Sequence, residues 1–211
     1  MSDALYLAQM ELGPMQNFVY VIGDPQTRDC VVVDPAWEID AIVDAIERDG
    51  MTLRGVLVTH THQDHVGGHL FGFDIPGIEE LLGRVPAKVY VHKAEREFLR
   101  GFGSDLVKVE GGDTLAVGRM TLSFIHTPGH TPGSTCFLLE GHPIVFSGDT
   151  LFPGGPGNTK LPGGDFPLII SSIESKLFRL PGDTHVLPGH GLDTTIATET
   201  PHLQEWVDRG W

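Results

Sequence analysis

The sequence predicts an α+β fold in which two β-sheets pack together with helices on the outside. Three observations carry that expectation. Apolar, strand-like runs fall in two clusters, one near the start of the chain and one from Leu106 onward. Each cluster is followed by segments with helical periodicity, and such elements bury their apolar faces best as stacked layers. The chain has 211 residues, enough for one domain with a substantial core, and no repeat, linker or charge block divides it. Residues 1–211 are therefore expected to form a single domain.

The elements follow in order. NFVYVIG (Asn17 to Gly23) and CVVVD (Cys30 to Asp34) flank the turn-rich GDPQTRD and read as a β-hairpin. Ile39, Ile42, Val43 and Ile46 lie on one face of a helix that stops at Gly50. Gly55 to Thr59 reads as a short buried strand running into HTHQDH. Ile78 to Leu82 has the pattern of a short helix, Ala87 to His92 of a strand, and Lys93 to Arg100 of another helix. From Leu106 to Leu139 the runs LVKV, TLAV, MTLSFI and STCFLL form a dense group of short strands, and Pro143 to Phe146 adds one more. Phe152 to Asp165 is too rich in Gly and Pro for a helix. Ile169, Ile173, Leu177 and Leu180 recur at helical spacing and predict a helix over 168–180. His185 to Leu187 closes the series as a strand.

Composition narrows the function. The formal net charge is −14, the opposite of what binding a phosphate backbone requires, so no nucleic-acid partner is expected. The first residues carry Asp3 and Glu11 and no basic cluster, so no secretory signal is expected. Met120 to Leu139 is uncharged but broken by Pro128, Pro132, Gly129 and Gly133, which argues against a membrane span. A cytoplasmic protein with two buried, reduced thiols at Cys30 and Cys136 is the expectation. The oligomeric state is left open. Histidine is the unusual residue: 11 is high for this length.

His60-Thr-His62-Gln-Asp64-His65 places three imidazoles and a carboxylate within six residues. A chain of this composition would contain HxHxDH by chance roughly twice in a thousand. At the end of an extended segment His60 and His62 point the same way, whereas Asp64 and His65, past the turn, can aim at a second point nearby. Three further loops share this grammar. TPGH (Thr127 to His130), SGDT (Ser147 to Thr150) and PGHG (Pro188 to Gly191) each follow a strand and put a ligand-type residue beside a glycine. Together the loops offer five His and two Asp, enough for two metal sites of three protein ligands each and one shared carboxylate. Imidazole with carboxylate suits zinc, and also iron or manganese. His69, His92, His126, His142, His185 and His202 are assigned to structure or surface.

HTHQDH, TPGHTPGS, SGDTLF and LPGHG, in that order, resemble the successive metal motifs of the metallo-β-lactamase superfamily, in its short, single-domain glyoxalase II-like branch. The resemblance runs from NFVYVIGD to LPGHG. It implies an αββα sandwich of two mixed β-sheets with two divalent ions, Zn2+ first among them, at the mouth between the sheets. Carried over by motif, His60, His62 and His130 would hold one ion and Asp64, His65 and His190 the other. Asp149 would bridge them, and Asp64 and Asp149 would be the catalytic carboxylates.

What the resemblance implies chemically is hydrolysis of a small-molecule thioester by a hydroxide held between two ions about 3.5–4 Å apart. The thiolate leaves readily, with a pKa near about 8.5, so no dedicated general acid is needed. Glyoxalase II proper continues into a C-terminal helical domain, whereas little chain follows His190 here. Its loop beyond the bridging aspartate carries a Lys and a Tyr where this chain has Asn158 and Lys160, and both departures point away from glutathione. Asn158, Lys160 and Trp37, in the DPAW that follows a strand, are the candidate substrate-binding residues. The same fold also serves persulfide dioxygenases, with one iron on two His and one carboxylate, and enzymes that open β-lactams or lactones.

Overall fold

The computed structural model describes residues 5–95 and 105–210. Strands β1 (Tyr6–Leu12), β2 (Asn17–Gly23) and β3 (Asp29–Val33) form an antiparallel meander. Helix α1 (Ile39–Arg48) returns the chain to β4 (Thr52–Leu57), parallel to β3. A single helical turn, α2 (Gln63–Val66), leads into the small hairpin β5 (Gly68–Leu70) and β6 (Phe73–Ile75). Helix α3 (Ile78–Arg84), β7 (Lys88–His92) and β8 (Leu106–Val109) complete the first half. Its sheet has the order β1-β2-β3-β4-β7-β8, with the last four strands parallel.

The second sheet is built from β9 (Thr114–Val117), β10 (Met120–His126), β11 (Thr135–Leu139) and β12 (Ile144–Gly148), all antiparallel. The short pair β13 (Leu151–Phe152) and β14 (Gly155–Pro156) precedes α4 (Phe166–Ser175). Strand β15 (His185–Pro188) then joins β12 in parallel, and β16 (Thr194–Thr195) closes the edge. Helices α5 (Ile196–Glu199) and α6 (Leu203–Arg209) end the described chain. Both sheets are mixed, and the order of layers is αββα, as the resemblance implies.

The apolar runs dictate these layers. In β2, Val19 and Val21 face α1 and α3, while Tyr20 and Ile22 face the other sheet. Burial on both faces is why the strand reads as a continuous apolar run rather than an alternating one. Between the sheets Tyr20, Leu57, Phe124, Phe137 and Phe146 interlock, with Tyr20 edge-on to Phe146 at 5.1 Å. Outside the second sheet Ile169, Ile173 and Leu177 pack with Trp206. Cys30 and Cys136 are buried and free.

Two expectations need correction. LVKV pairs with β7 in the first sheet instead of joining its sequence neighbours. The helix expected over 168–180 starts at Phe166, capped by Asp165, whose carboxylate accepts the Leu168 N–H at 3.0 Å. It breaks at Lys176, and a tight 3-10 turn over Leu177–Arg179 seats Leu177 in the core. The edge strand β1, the hairpin β5–β6 and the helices after Thr195 were not anticipated. Of the helix expected from Lys93 to Arg100, Lys93 and Ala94 lie in a turn and residues 96–100 fall outside the described residues.

One ion pair staples the two halves. The buried carboxylate of Asp24, in the β2–β3 turn, accepts from Arg119 in the β9–β10 turn through the backbone N–H (2.9 Å), Nε (2.8 Å) and Nη2 (2.9 Å). Those hydrogen bonds hold it well below the usual carboxylate range. A depressed folded pKa stabilises the fold above the unfolded value of 3.8 and is lost as the pH falls through the folded one. Asp24→Asn is thus expected to lower stability at neutral pH. Denaturant titrations should show the gap to the parent narrowing from about pH 5 downward.

Candidate metal centre

The loops that leave β4, β10, β12 and β15 open at one mouth between the sheets. β4 ends at Leu57, and the Thr59 N–H is caught by the Asp34 carboxylate at 2.7 Å. This turns HTHQDH across the strand ends. His60 and His62 lie in the extended part, and Asp64 and His65 ride on α2, whose first turn closes on the His62 carbonyl. The two aims expected from the spacing are what the chain adopts.

Ligand atoms of His60, His62 and His130 lie within 4.8 Å of one another, and so do those of Asp64, His65 and His190. Asp149 sits between the groups. Its Oδ1 is 3.5 Å from His65 Nε2, and its Oδ2 is 3.7 Å from His130 Nε2 and 3.8 Å from His190 Nε2. All seven sequence-predicted ligand residues therefore converge.

The outer ring nitrogens fix how the inner ones point. His65 Nδ1–H donates to Asp34 at 3.1 Å, His130 Nδ1–H to the Asn158 carbonyl at 2.7 Å, and His190 Nδ1–H to the Met15 carbonyl at 3.1 Å. Thr59 gives its hydroxyl proton to Asp34 and accepts from His60 Nδ1–H at 3.0 Å. Each of these rings then turns its Nε2 lone pair inward, the arrangement that prepares imidazole for a cation.

His65 Nε2 and His190 Nε2 lie 3.1 Å apart, and His62 Nδ1 and His130 Nε2 lie 3.0 Å apart. Such pairs repel unless a cation or proton lies near. Among the described residues, the buried side-chain polar atoms without any hydrogen-bond partner are His60 Nε2 and Asp149 Oδ1. Buried polar atoms are seldom left so. Both aim into the centre, and the residues fit divalent metal.

Electrostatics agree. Burial, followed by repulsion from His65 and His130, pushes His60 well below 6.5 and keeps it neutral. Burial opposes the charge on Asp64, but the neighbouring His190 and His65, whenever they carry a second proton, and the Asn17 amide hold it well below the usual carboxylate range. Burial also disfavours charged His65, yet Asp149 and Asp34 outweigh it and bring its pKa up to about 9.

Three residues that sequence reasoning did not assign to the site complete it. Asp34 carries His65 directly and His60 through Thr59. Asn17 directs its Nδ2 at Asp64 Oδ2 (3.2 Å), His190 Nε2 (3.3 Å) and His65 Nε2 (3.4 Å). Glu95, also buried, accepts from Thr61 Oγ1 (2.5 Å), Thr131 Oγ1 (2.5 Å) and the Gly133 N–H (2.8 Å), tying the His62 loop to the His130 loop. The available signal for Asp34 was an Asp-Pro directly after a buried strand; Asn17 and Glu95 had none beyond their neighbours.

Of the candidate substrate residues, Trp37 is placed one step behind the ligands. Its indole N–H donates to Asn17 Oδ1 at 2.9 Å, which fixes the amide with its nitrogen toward the ligands. Trp37 lines a separate surface cavity with Glu38, Asp40 and Arg84. Asn158 reaches His130 through its carbonyl, and its side chain accepts the Lys160 N–H at 2.9 Å. Lys160 itself is exposed. Glu95→Gln removes one acceptor from a three-donor hub that supports ligands without being one. It is expected to lower metal affinity or turnover about 10–100-fold while the circular dichroism spectrum is retained.

Residues 12–190 match the family model described as the Metallo-beta-lactamase superfamily. The chain is 34% identical over 207 residues to a probable metallo-hydrolase, YqgX, of Bacillus subtilis, covering 90% of this chain and 92% of that one. It is 33% identical over 181 residues to the hydroxyacylglutathione hydrolase GloC of Haemophilus influenzae, covering 82% and 84%. Among solved structures it is similar to ETHE1 from Myxococcus xanthus, with a TM-score of 0.79 and 30% identity, covering 94% of this chain and 83% of that one.

Proposed function

Since the chain belongs to the metallo-beta-lactamase superfamily, we propose that it is a cytoplasmic, dinuclear metal hydrolase that cleaves a small-molecule thioester. The observation that carries the reading is the pair of ligand groups with Asp149 between them. His60, His62 and His130 would hold one ion, Asp64, His65 and His190 the other, and Asp149 would touch both; zinc suits this imidazole and carboxylate set. Two such ions supply Lewis acidity at the acyl carbonyl and a water acidified to a pKa near about 7.

The chain's own residues do the rest. Asp34, Thr59 and the carbonyls of Met15 and Asn158 keep the outer imidazole protons engaged, so the inner nitrogens stay available. Asn17, pinned by Trp37, donates to Asp64 and holds that carboxylate at the centre. Asp64 and Asp149 would accept hydrogen bonds from the attacking water and orient it, while the ions would favour its deprotonated form. No side chain in the loops is needed to protonate the departing thiolate, which favours thioesters over amides. The similarity to a hydroxyacylglutathione hydrolase supports this reading. That to ETHE1, a persulfide dioxygenase in its human form, favours the second one, a single iron oxidising a persulfide.

One sample distinguishes them. Metal content is measured on purified protein, followed by hydrolysis of S-lactoyl thioesters of glutathione, coenzyme A and smaller thiols, and oxygen uptake with glutathione persulfide. Two equivalents of metal with thioester cleavage are expected. One iron with oxygen uptake and no thioester turnover overturns the proposal.

A further inference from the structure

A cavity of about 660 Å³ between His92, His126 and Lys176 lies away from the ligands, but its lysines and its glutamate are spent on one another or on main chain. The space that opens beside the ligands carries more. A cavity of about 640 Å³ begins at His62 and runs between the β5–β6 hairpin and the 161–163 loop. Its walls are Leu70, Phe71, Ala94, Pro132, Leu161 and Pro162.

Beside the exposed amide of Gln63, the Thr61, Thr131 and Glu95 groups in this wall are occupied. The Thr61 and Thr131 hydroxyls donate to Glu95, and the Glu95 carboxylate also takes the Gly133 N–H. Among the described lining residues there is no Lys or Arg. At the mouth, Phe71 stands on the hairpin tip at a left-handed φ of 50° and is 83% exposed. Leu161, on the facing loop, is 44% exposed. Large apolar side chains held open at the rim of a concave site leave their surface to be covered by whatever enters it.

We propose that this cavity is the subsite for an uncharged, apolar arm of the substrate, with Phe71 and Leu161 closing over it. The inference rests on the thioester reading for the reacting end, which His62 places at the inner end of the cavity. It makes the substrate an S-acyl thiol with an unbranched hydrocarbon arm, distinct from the charged tripeptide of glutathione.

Binding can test it apart from turnover. Unbranched alkanethiols from ethanethiol to octanethiol are titrated into the metal-loaded protein by calorimetry, with glutathione as the charged comparison. Affinity is expected to rise about threefold to fourfold per methylene, and glutathione to bind more weakly than hexanethiol. Phe71→Ser with Leu161→Ser, both at exposed positions, should flatten the series while leaving ethanethiol unchanged. Affinity independent of chain length, a slope that survives the double substitution, or tighter binding of glutathione overturns the subsite. A steep slope with no thioester hydrolysis keeps the subsite and removes the thioesterase reading; hydrolysis with a flat slope does the reverse.

Discussion

Asp149→Ala is expected to reduce thioester turnover by more than ~10³-fold, equivalent to about 4 kcal/mol of transition-state stabilisation, and to lower bound metal by about one equivalent. The size follows from position. Asp149 reaches toward both ligand groups, 3.5 Å from His65 and 3.7 Å from His130. Under the proposed assignment, removing it would take an anionic ligand from each ion at once and withdraw negative charge that would offset the two cations. Loss of a supporting residue such as Glu95 costs only about 10–100-fold, so the two substitutions should separate clearly. Metal analysis beside steady-state kinetics checks the result. An Asp149→Ala protein that retains both its metal and its rate would refute the bridging assignment.

The seven candidate ligands were legible as a group because each sits within a few residues of a strand end, in a polar His- and Asp-bearing motif. Their supports were not. Asp34 meets His65 across 31 residues of sequence, Asn17 meets Asp64 across 47, and Glu95 meets Thr131 across 36. Each is a common polar residue whose meaning comes chiefly from folding, so among 28 acidic residues Glu95 is concealed completely and Asp34 is marked only by the proline that follows it. The same distinction runs through the fold. β2 and β3, buried on both faces, announce themselves as apolar runs. β1, an edge strand, alternates Tyr6, Ala8 and Met10 inward with Leu7, Gln9 and Glu11 outward, and carries few strong strand formers. Leu106–Val109 was recognised as a strand, but its sheet depends on a long-range pairing with β7 that no local pattern encodes. Trp37 follows a strand at the site's edge, and its indole N–H donates to Asn17, a partner 20 residues away that no local pattern names.

Gly189→Ala is the sharpest test of geometry, because it removes no ligand. A methyl group on Gly189 would lie 2.5 Å from Asp149 Oδ1 and 2.6 Å from His65 Cε1. Real contacts of that length do not persist, so one side must move. The neighbouring main chain is held firmly: the Gly189 carbonyl accepts the Phe18 N–H at 2.7 Å, and the Gly189 N–H donates to Gly148 at 2.9 Å. The side chains give way more easily, and Asp149 can rotate its carboxylate at little cost to the fold. A shift in thermal midpoint of no more than about 2–4 °C is expected, as for a change near 1 kcal/mol in a chain of this size. The centre, however, depends on those same two atoms. A displaced Asp149 no longer reaches both ligand groups, and a tilted His65 loses either Asp34 or its inward aim. Metal affinity and turnover should therefore fall by about 10²-fold or more while stability is nearly retained, since misplacement by an ångström at a reacting centre costs about that much. If the variant instead keeps full activity, the convergence of Asp149 and His65 is looser than these distances require. If it fails to fold, the main chain rather than the side chains has yielded.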